Sequence, residues 1–200
     1  MTTPPDPIQP PLERWFPLLT PRLILREFHE DDLDDIQAYA EDPEVVRYMD
    51  WGPNTPAMTR QFLDLRLDDQ RTWPRLAFSL AVEVRAEARM IGAVRLDVSD
   101  PANRGADLGY SFHRDYWRRG IASESARALA RVAFERLGLH RLWATCDVRN
   151  TGSAGVLEKL GMRREATLRQ HLWVRDGWRD SHLYAILADE WAARDNRAAP

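Results

Sequence analysis

The sequence predicts an α/β fold: one domain built on a mixed, mostly antiparallel sheet with a single parallel strand pair and flanking helices. Three observations carry that expectation. Runs with the two-residue alternation of strands are interleaved with runs whose apolar residues recur at helical spacing. One long amphipathic run, residues 121–137, separates two strand-like runs, and a crossover helix joins parallel neighbours. Finally, Asp176-Gly177 lies between two strand-like runs, a hairpin signal.

Taken in order, residues 1–19 are rich in proline and expected to be a flexible lead-in, with Trp15, Phe16 and Leu18 at an end suited to docking. The domain is expected over 20–195. Arg22 to Arg26 reads as a strand, and Asp31 or Asp32 caps a helix whose inner face is Leu33, Ile36 and Ala40. Thr55-Pro56 starts a second helix with Met58, Phe62 and Leu65 on one face. Phe78, Leu80, Val82 and Val84 alternate with other residues, as do Val94, Leu96 and Val98 after a turn near 85–87, so a central hairpin follows.

Asp107 to Phe112 is the next strand. Ala122, Ala126, Leu129, Val132 or Ala133, and Leu137 form the stripe of the crossover helix, which Gly138 stops. His140 to Cys146 is a further strand, and Asn150 opens a short helix carrying Val156, Leu157 and Leu160 up to Gly161. The predicted order is β-α-α-β-β-β-α-β-α-β-β.

Composition narrows the function. The 200 residues are 44% hydrophobic and 30% charged, ordinary for one folded domain, and no repeat period is present. A formal charge of −3 argues against direct nucleic-acid binding, which needs a basic surface or stripe. A single Cys146, placed in an apolar strand, reads as a small buried side chain, and the five histidines show no ligand spacing, so no metal is inferred. The N-terminus lacks the features of a signal peptide and no run has the length of a membrane span, giving a cytoplasmic expectation with no membrane partner.

The chemistry gathers at Trp117-Arg118-Arg119-Gly120-Ile121-Ala122-Ser123-Glu124, where a basic glycine turn runs into a helix. Unpaired N–H groups in a first helical turn, with the macrodipole, suit a pyrophosphate. Neither a G-x-x-x-x-G-K-[ST] run nor G-x-G-x-x-G is present.

Gly109-Tyr110, Tyr116 to Glu124, Asn150-x-x-Ser153 and Glu158-Lys159-Leu160-Gly161-Met162 follow one another in an order that resembles the GNAT acetyltransferase superfamily. Pro21 to Arg26 and Asp42 to Val46 extend the likeness, which is narrower with the branch containing ribosomal-protein N-terminal acetyltransferases. Trp117 stands where the superfamily pattern has Gln or Arg, as is usual in that branch.

This resemblance implies an acetyl-CoA-dependent N-acetyltransferase whose strands ending near His113 and Cys146 splay apart to admit the pantetheine. Backbone N–H groups of Phe112 and His113 are the implied oxyanion contacts. Arg118, Arg119, Gly120, Ile121, Ala122 and Ser123 would hold the pyrophosphate, and Asn150 the pantetheine, besides capping its helix. Where many relatives carry a tyrosine acid, this chain has Leu157, so Ser153, one turn earlier, is the hydroxyl expected near the sulfur. Asp107, where the branch usually has Glu, is the expected base through water. Glu124 reads as a helix-dipole residue. Tyr48, Asp50 and Trp51, with His171 and Trp173, are the expected acceptor wall, each also explicable as packing.

The expected partner is an amine acceptor, most simply the α-amine of a peptide or protein attacking directly in a ternary complex. A small molecule such as an aminoglycoside or polyamine is the alternative. A non-catalytic acyl-CoA-binding module is a second, favoured only by Leu157. A homodimer is left open.

Overall fold

The structure, a computed structural model, describes residues 15–198, with side chains as far as Arg194. Eight strands form one sheet in the order β1-β2-β3-β4-β5-β6-β8-β7. They are β1 (Leu18–Leu19), β2 (Leu23–Arg26), β3 (Ala77–Val84), β4 (Arg89–Asp100), β5 (Gly105–Phe112), β6 (Arg141–Asp147), β7 (Arg163–Val174) and β8 (Gly177–Leu187). Among the described residues only β5 and β6 run parallel. The helices are α1 (Leu33–Ala40), α2 (Pro43–Val46), α3 (Pro56–Asp69), α4 (Ile121–Arg131), α5 (Thr151–Leu160) and α6 (Ala188–Ala198). The order matches the sequence expectation once β1, α2 and α6 are added, β1 and α2 being only two and four residues long.

Two apolar clusters flank the sheet. The larger lies under α4, α5 and α6, with Leu129, Ala130, Leu142, Leu157 and Trp191 in it; the smaller lies under α1 and α3, with Ile36, Tyr39, Leu63 and Leu67. From α4 into the turn that follows it, the apolar positions 129, 133 and 137 step by four, more than the 3.6 residues of an α turn. A π turn over Val132–Arg136 absorbs the excess, with Leu137 N–H bonded to the Val132 carbonyl at 3.0 Å, and keeps Leu137 buried.

Three local expectations are corrected. The buried face of α3 is Thr59, Leu63 and Leu67, whereas Met58 and Leu65 are exposed. Thr59 occupies a core position because its hydroxyl donates to Gln37 Oε1 at 2.5 Å, so a polar residue marks the inner face. Asp32 makes no side-chain cap; its carboxylate accepts from His29 N–H at 2.8 Å and is gripped by Arg26 at 2.7 and 2.8 Å. The hairpin loop is Arg175-Asp176 rather than Asp176-Gly177: Val174 pairs with Gly177, and Arg175 takes φ +55.

The aromatic end of the lead-in is docked. Leu18 and Leu19 pair with β2, and the Phe16 ring packs on Phe78 at 6.4 Å. The remainder of that segment, up to residue 14, lies outside the described residues.

Candidate active site

β5 and β6 are paired only from Gly105 with Arg141 to Asp107 with Trp143. Both continue, to Phe112 and Asp147, without further pairing, so a gap opens along the sheet. Backbone alternation decides what faces it. His113 N–H donates to the Ile91 carbonyl at 2.8 Å, which places residues 109, 111 and 113 in the set bonded to β4. The N–H and C=O groups of Leu108, Tyr110 and Phe112 therefore turn towards the gap.

Trp117 Nε1 donates to the Phe112 carbonyl at 2.9 Å, which leaves the Phe112 N–H as the donor at the gap's mouth. This corrects half of the expected oxyanion pair: Phe112 fits, but the N–H of His113 is already committed to β4. Gly92 lets the two strands close here, since a Cβ on it would sit 2.3 Å from the Ser111 carbonyl and 2.5 Å from the Phe112 ring.

Beyond the gap lies the start of α4. Its first backbone hydrogen bond runs from Glu124 N–H to the Gly120 carbonyl at 3.0 Å, so the N–H groups of Ile121, Ala122 and Ser123 precede the helical ladder. Gly120 offers no side-chain cap, and its φ of +78 is the left-handed geometry that L side chains resist. The nearest atom to an added Cβ is Arg22 Nη2 at 3.4 Å, so conformation rather than crowding by the protein specifies glycine. Arg118 has φ +60, and Arg118 and Arg119 are exposed. Uncapped donors, a positive dipole end and two guanidinium groups fit a pyrophosphate.

Glu124 is more than a dipole residue. It accepts from the Thr20 hydroxyl at 2.6 Å and the Arg22 backbone at 3.1 Å, and pairs with the Arg22 guanidinium at 2.6 Å. Arg22 also donates to the Arg119 carbonyl at 2.8 Å. Burial opposes ionisation of Glu124, but the bonds from Thr20 and Arg22 outweigh it and hold the carboxyl below its ordinary range. The turn before α4 is thus tied to β2.

Asp107 and Ser153 lie on opposite faces of the sheet. Asp107 shares its face with Gly109 and Ser111, and so with Ala93 of β4, which pairs with Ser111 and packs against the smaller cluster that holds Tyr39 of α1. At the last paired rung before the gap, Asp107 Oδ2 is 2.6 Å from Arg95 Nη2, and Arg95 Nη1 is 2.8 Å from Asp97. Burial pushes the Asp107 carboxyl above the ordinary carboxylate range, Arg95 draws it back and Asp97 adds to the rise.

The other face carries Tyr110, whose hydroxyl lies 3.0 Å from Ser153 Oγ and 3.1 Å from the Ser153 carbonyl. Burial pushes the Tyr110 phenol and the Cys146 thiol above their ordinary ranges, against a lowering influence of Ser153 on both. Cys146 is buried, as its strand position predicts. Asn150 caps α5, its Oδ1 accepting from Ser153 N–H at 3.0 Å, and Leu157 is in the core.

The acceptor residues are partly brought together. Arg175 Nη2, at the β7–β8 tip, donates to the carbonyls of Val46 at 2.9 Å and Gly52 at 3.2 Å, and Arg179 Nη1 donates to that of Tyr48 at 3.1 Å. The 46–52 loop and the hairpin therefore form one wall. The Arg47 and Arg149 guanidinium groups each lie near the Tyr48 ring, Trp51 packs on the smaller core, and Asp50 and His171 are exposed.

Trp173 departs from the expectation. Leu172 pairs with Arg179 and Trp173 with Trp178, so alternation puts both indoles on the face opposite Arg179 and its loop. They stack edge to face at 5.3 Å. Arg95, Arg175 and Arg179 went unread because their roles depend on strand register and on contacts far away in sequence; Tyr110 stood in a motif without a role.

Among the described residues no cluster of His, Cys, Asp or Glu could hold a metal ion. No described helix is long and apolar enough to cross a membrane.

A sheet that splits between its parallel strands beside the uncapped start of a helix is what the resemblance to acetyl-CoA-dependent transferases implies. The chain belongs to the GNAT acetyltransferase family, whose acetyltransferase (GNAT) domain matches residues 22–163. It is 31% identical over 174 residues to YnaD, an uncharacterised N-acetyltransferase of Bacillus subtilis (strain 168), covering 87% of this chain and 98% of YnaD. A GNAT-family acetyltransferase of Bacillus anthracis has a crystal structure that superposes with a TM-score of 0.75 at 30% identity, covering 84% of this chain and 96% of that one. The ribosomal-protein-serine acetyltransferase of Escherichia coli (strain K12) is 29% identical over 103 residues, 52% of this chain and 58% of that protein. The protein is an acetyl-CoA-dependent N-acetyltransferase.

Proposed function

We propose that the enzyme acetylates the α-amine of a peptide or protein by direct attack on acetyl-CoA in a ternary complex. The supporting observation is the placement of Asp107 and Ser153 on opposite faces of one gap, the carboxylate beneath the side that the 46–52 loop and hairpin enclose. Proton removal from the amine and proton supply to the sulfur then occur on different sides of the sheet.

Within the site, the backbone N–H of Phe112 meets the thioester oxygen as charge gathers there, while Ile121 to Ser123 hold the pyrophosphate. Asp107 takes the amine proton through water, and Ser153 supplies one to the sulfur. An α-amine, with a pKa near 7.7–8.0 against about 10.4 for lysine, is more often neutral and needs only a modest base. A carboxylate lifted by burial but restrained by Arg95 is such a base.

The test uses acetyl-CoA and peptides that carry both a free α-amine and a lysine, with the added group located by fragmentation mass spectrometry. Acetylation at the N-terminus is expected. Modification confined to lysine, or rapid turnover of aminoglycosides or polyamines beside inert peptides, overturns the acceptor.

A further inference from the structure

The hydroxyl of Tyr110 has two acceptors within reach on one residue, Ser153 Oγ at 3.0 Å and the Ser153 carbonyl at 3.1 Å. Two hydrogen-bond arrangements are therefore open. In one, Ser153 donates to Tyr110 and Tyr110 to the carbonyl, so the serine proton points away from the gap. In the other, Tyr110 donates to Ser153 Oγ, and the serine proton is free to point at a group lying in the gap. Both residues are partly buried where the surrounding dielectric is low, which strengthens a two-hydroxyl chain. Register gives the pair its place: Tyr110 is on the stretch of β5 that has left β6, and Ser153 is at the third position of α5, whose Asn150 cap holds it.

We propose that Tyr110 is a positioning residue that works through Ser153, directing the serine proton at the thioester sulfur and replacing it as it leaves. The inference rests on the reading of Ser153 as the proton donor and adds the group that makes a serine competent for that role. Nitrogen attack forms the C–N bond, and the electron pair of the breaking C–S bond stays on sulfur. The Ser153 proton passes to sulfur, and the Tyr110 proton passes to Ser153 Oγ. The phenol oxygen then regains, through solvent, the proton that the amine gave up on the other face. One N–H is exchanged for one S–H. Without Tyr110 the donor would be left as an alkoxide, and a phenol is a stronger acid than an aliphatic alcohol.

The test compares Tyr110→Phe, Ser153→Ala and the double variant under saturating acetyl-CoA, with thermal stabilisation by acetyl-CoA as the check on fold and binding. Ser153→Ala is expected to lower kcat by roughly 10²–10⁴-fold and Tyr110→Phe by about 10-fold to 100-fold, with acetyl-CoA affinity retained. The double variant is expected to match Ser153→Ala alone, because Tyr110 has nothing left to act through. Site-specific 3-fluorotyrosine at 110 retains ring and hydroxyl but is more acidic, and is expected to move the alkaline limb of kcat to lower pH.

Unchanged kcat in Tyr110→Phe, losses that multiply in the double variant, or an unmoved limb with fluorotyrosine overturns the role of Tyr110 and leaves Ser153 as donor. Wild-type turnover in Ser153→Ala overturns the donor itself, and the relay with it. Acetylation of the α-amine is read separately, from the product.

Discussion

Asp107 is held by a partner that both orients and restrains it. Arg95 fixes the carboxylate at 2.6 Å, and the same contact opposes the rise that burial imposes. As the proposed general base, Asp107 must be ionised to work, so turnover is expected to fall as pH drops through its raised pKa. Removing the guanidinium removes the restraint: Arg95→Gln is expected to move the acidic limb of the kcat/KM profile to higher pH, and Asp107→Asn to lower kcat by roughly 10²–10⁴-fold with acetyl-CoA affinity kept. A limb that stays in place in Arg95→Gln, or near-wild-type turnover in Asp107→Asn, removes the carboxylate from the mechanism. Gly120 makes a contrasting residue-scale case. Gly120→Glu adds a side chain at φ +78 and a negative charge beside the uncapped donors, so thermal stabilisation by acetyl-CoA is expected to vanish while the variant still melts cooperatively. Unchanged CoA affinity would falsify the pyrophosphate assignment.

At the scale of elements, the link between β2 and the start of α4 combines stability with cofactor binding. Glu124 is held below its ordinary pKa by Thr20 and Arg22 despite burial. A carboxyl whose folded pKa is depressed contributes stability that is fully present above its unfolded value, near 4.3, and lost as pH falls through the folded value. Melting temperature is therefore expected to decline between about pH 5 and lower values in the wild type, and less steeply in Glu124→Gln, which starts from a lower plateau. Equal slopes would show that the clamp does not titrate with folding.

The strands other than β1, the crossover helix and its glycine turn were legible in the sequence, because alternation, a long apolar stripe and a glycine beside two arginines are local signals. The inner face of α3 was not, since Thr59 buries a hydroxyl that only its Gln37 partner explains. Arg175 was passed over for a different reason: the Asp-Gly pair is the stronger turn signal, and the loop's displacement by one residue accompanies contacts with carbonyls more than 120 residues earlier.

Across the whole molecule, the gap divides the sheet into a part carrying β1 to β5 and a part carrying β6 to β8, joined by only three parallel pairs near Asp107. On the acceptor side, Arg175 and Arg179 bridge the two parts by reaching from the β7–β8 hairpin to the 46–52 loop. Asp107, Ser153 and the turn before α4 belong to local motifs from which a sequence can propose a role, whereas this bridge exists only after distant segments meet. It also keeps the proposed acceptor wall apart from the proposed pyrophosphate donors, which lie at the start of α4, outside the bridge. Arg175→Ala removes donors to the Val46 and Gly52 carbonyls, each charge-assisted but partly solvated. A loss near 1.4 kcal/mol corresponds to about tenfold in binding. The expected result is a roughly tenfold rise in acceptor KM with kcat and acetyl-CoA affinity little changed, measured by initial rates with the N-terminal peptide and by thermal shift with acetyl-CoA. If acetyl-CoA affinity falls in step with acceptor KM, the bridge supports the whole domain and the two sides of the gap are not independent. If neither changes, the hairpin is not a wall of the acceptor site.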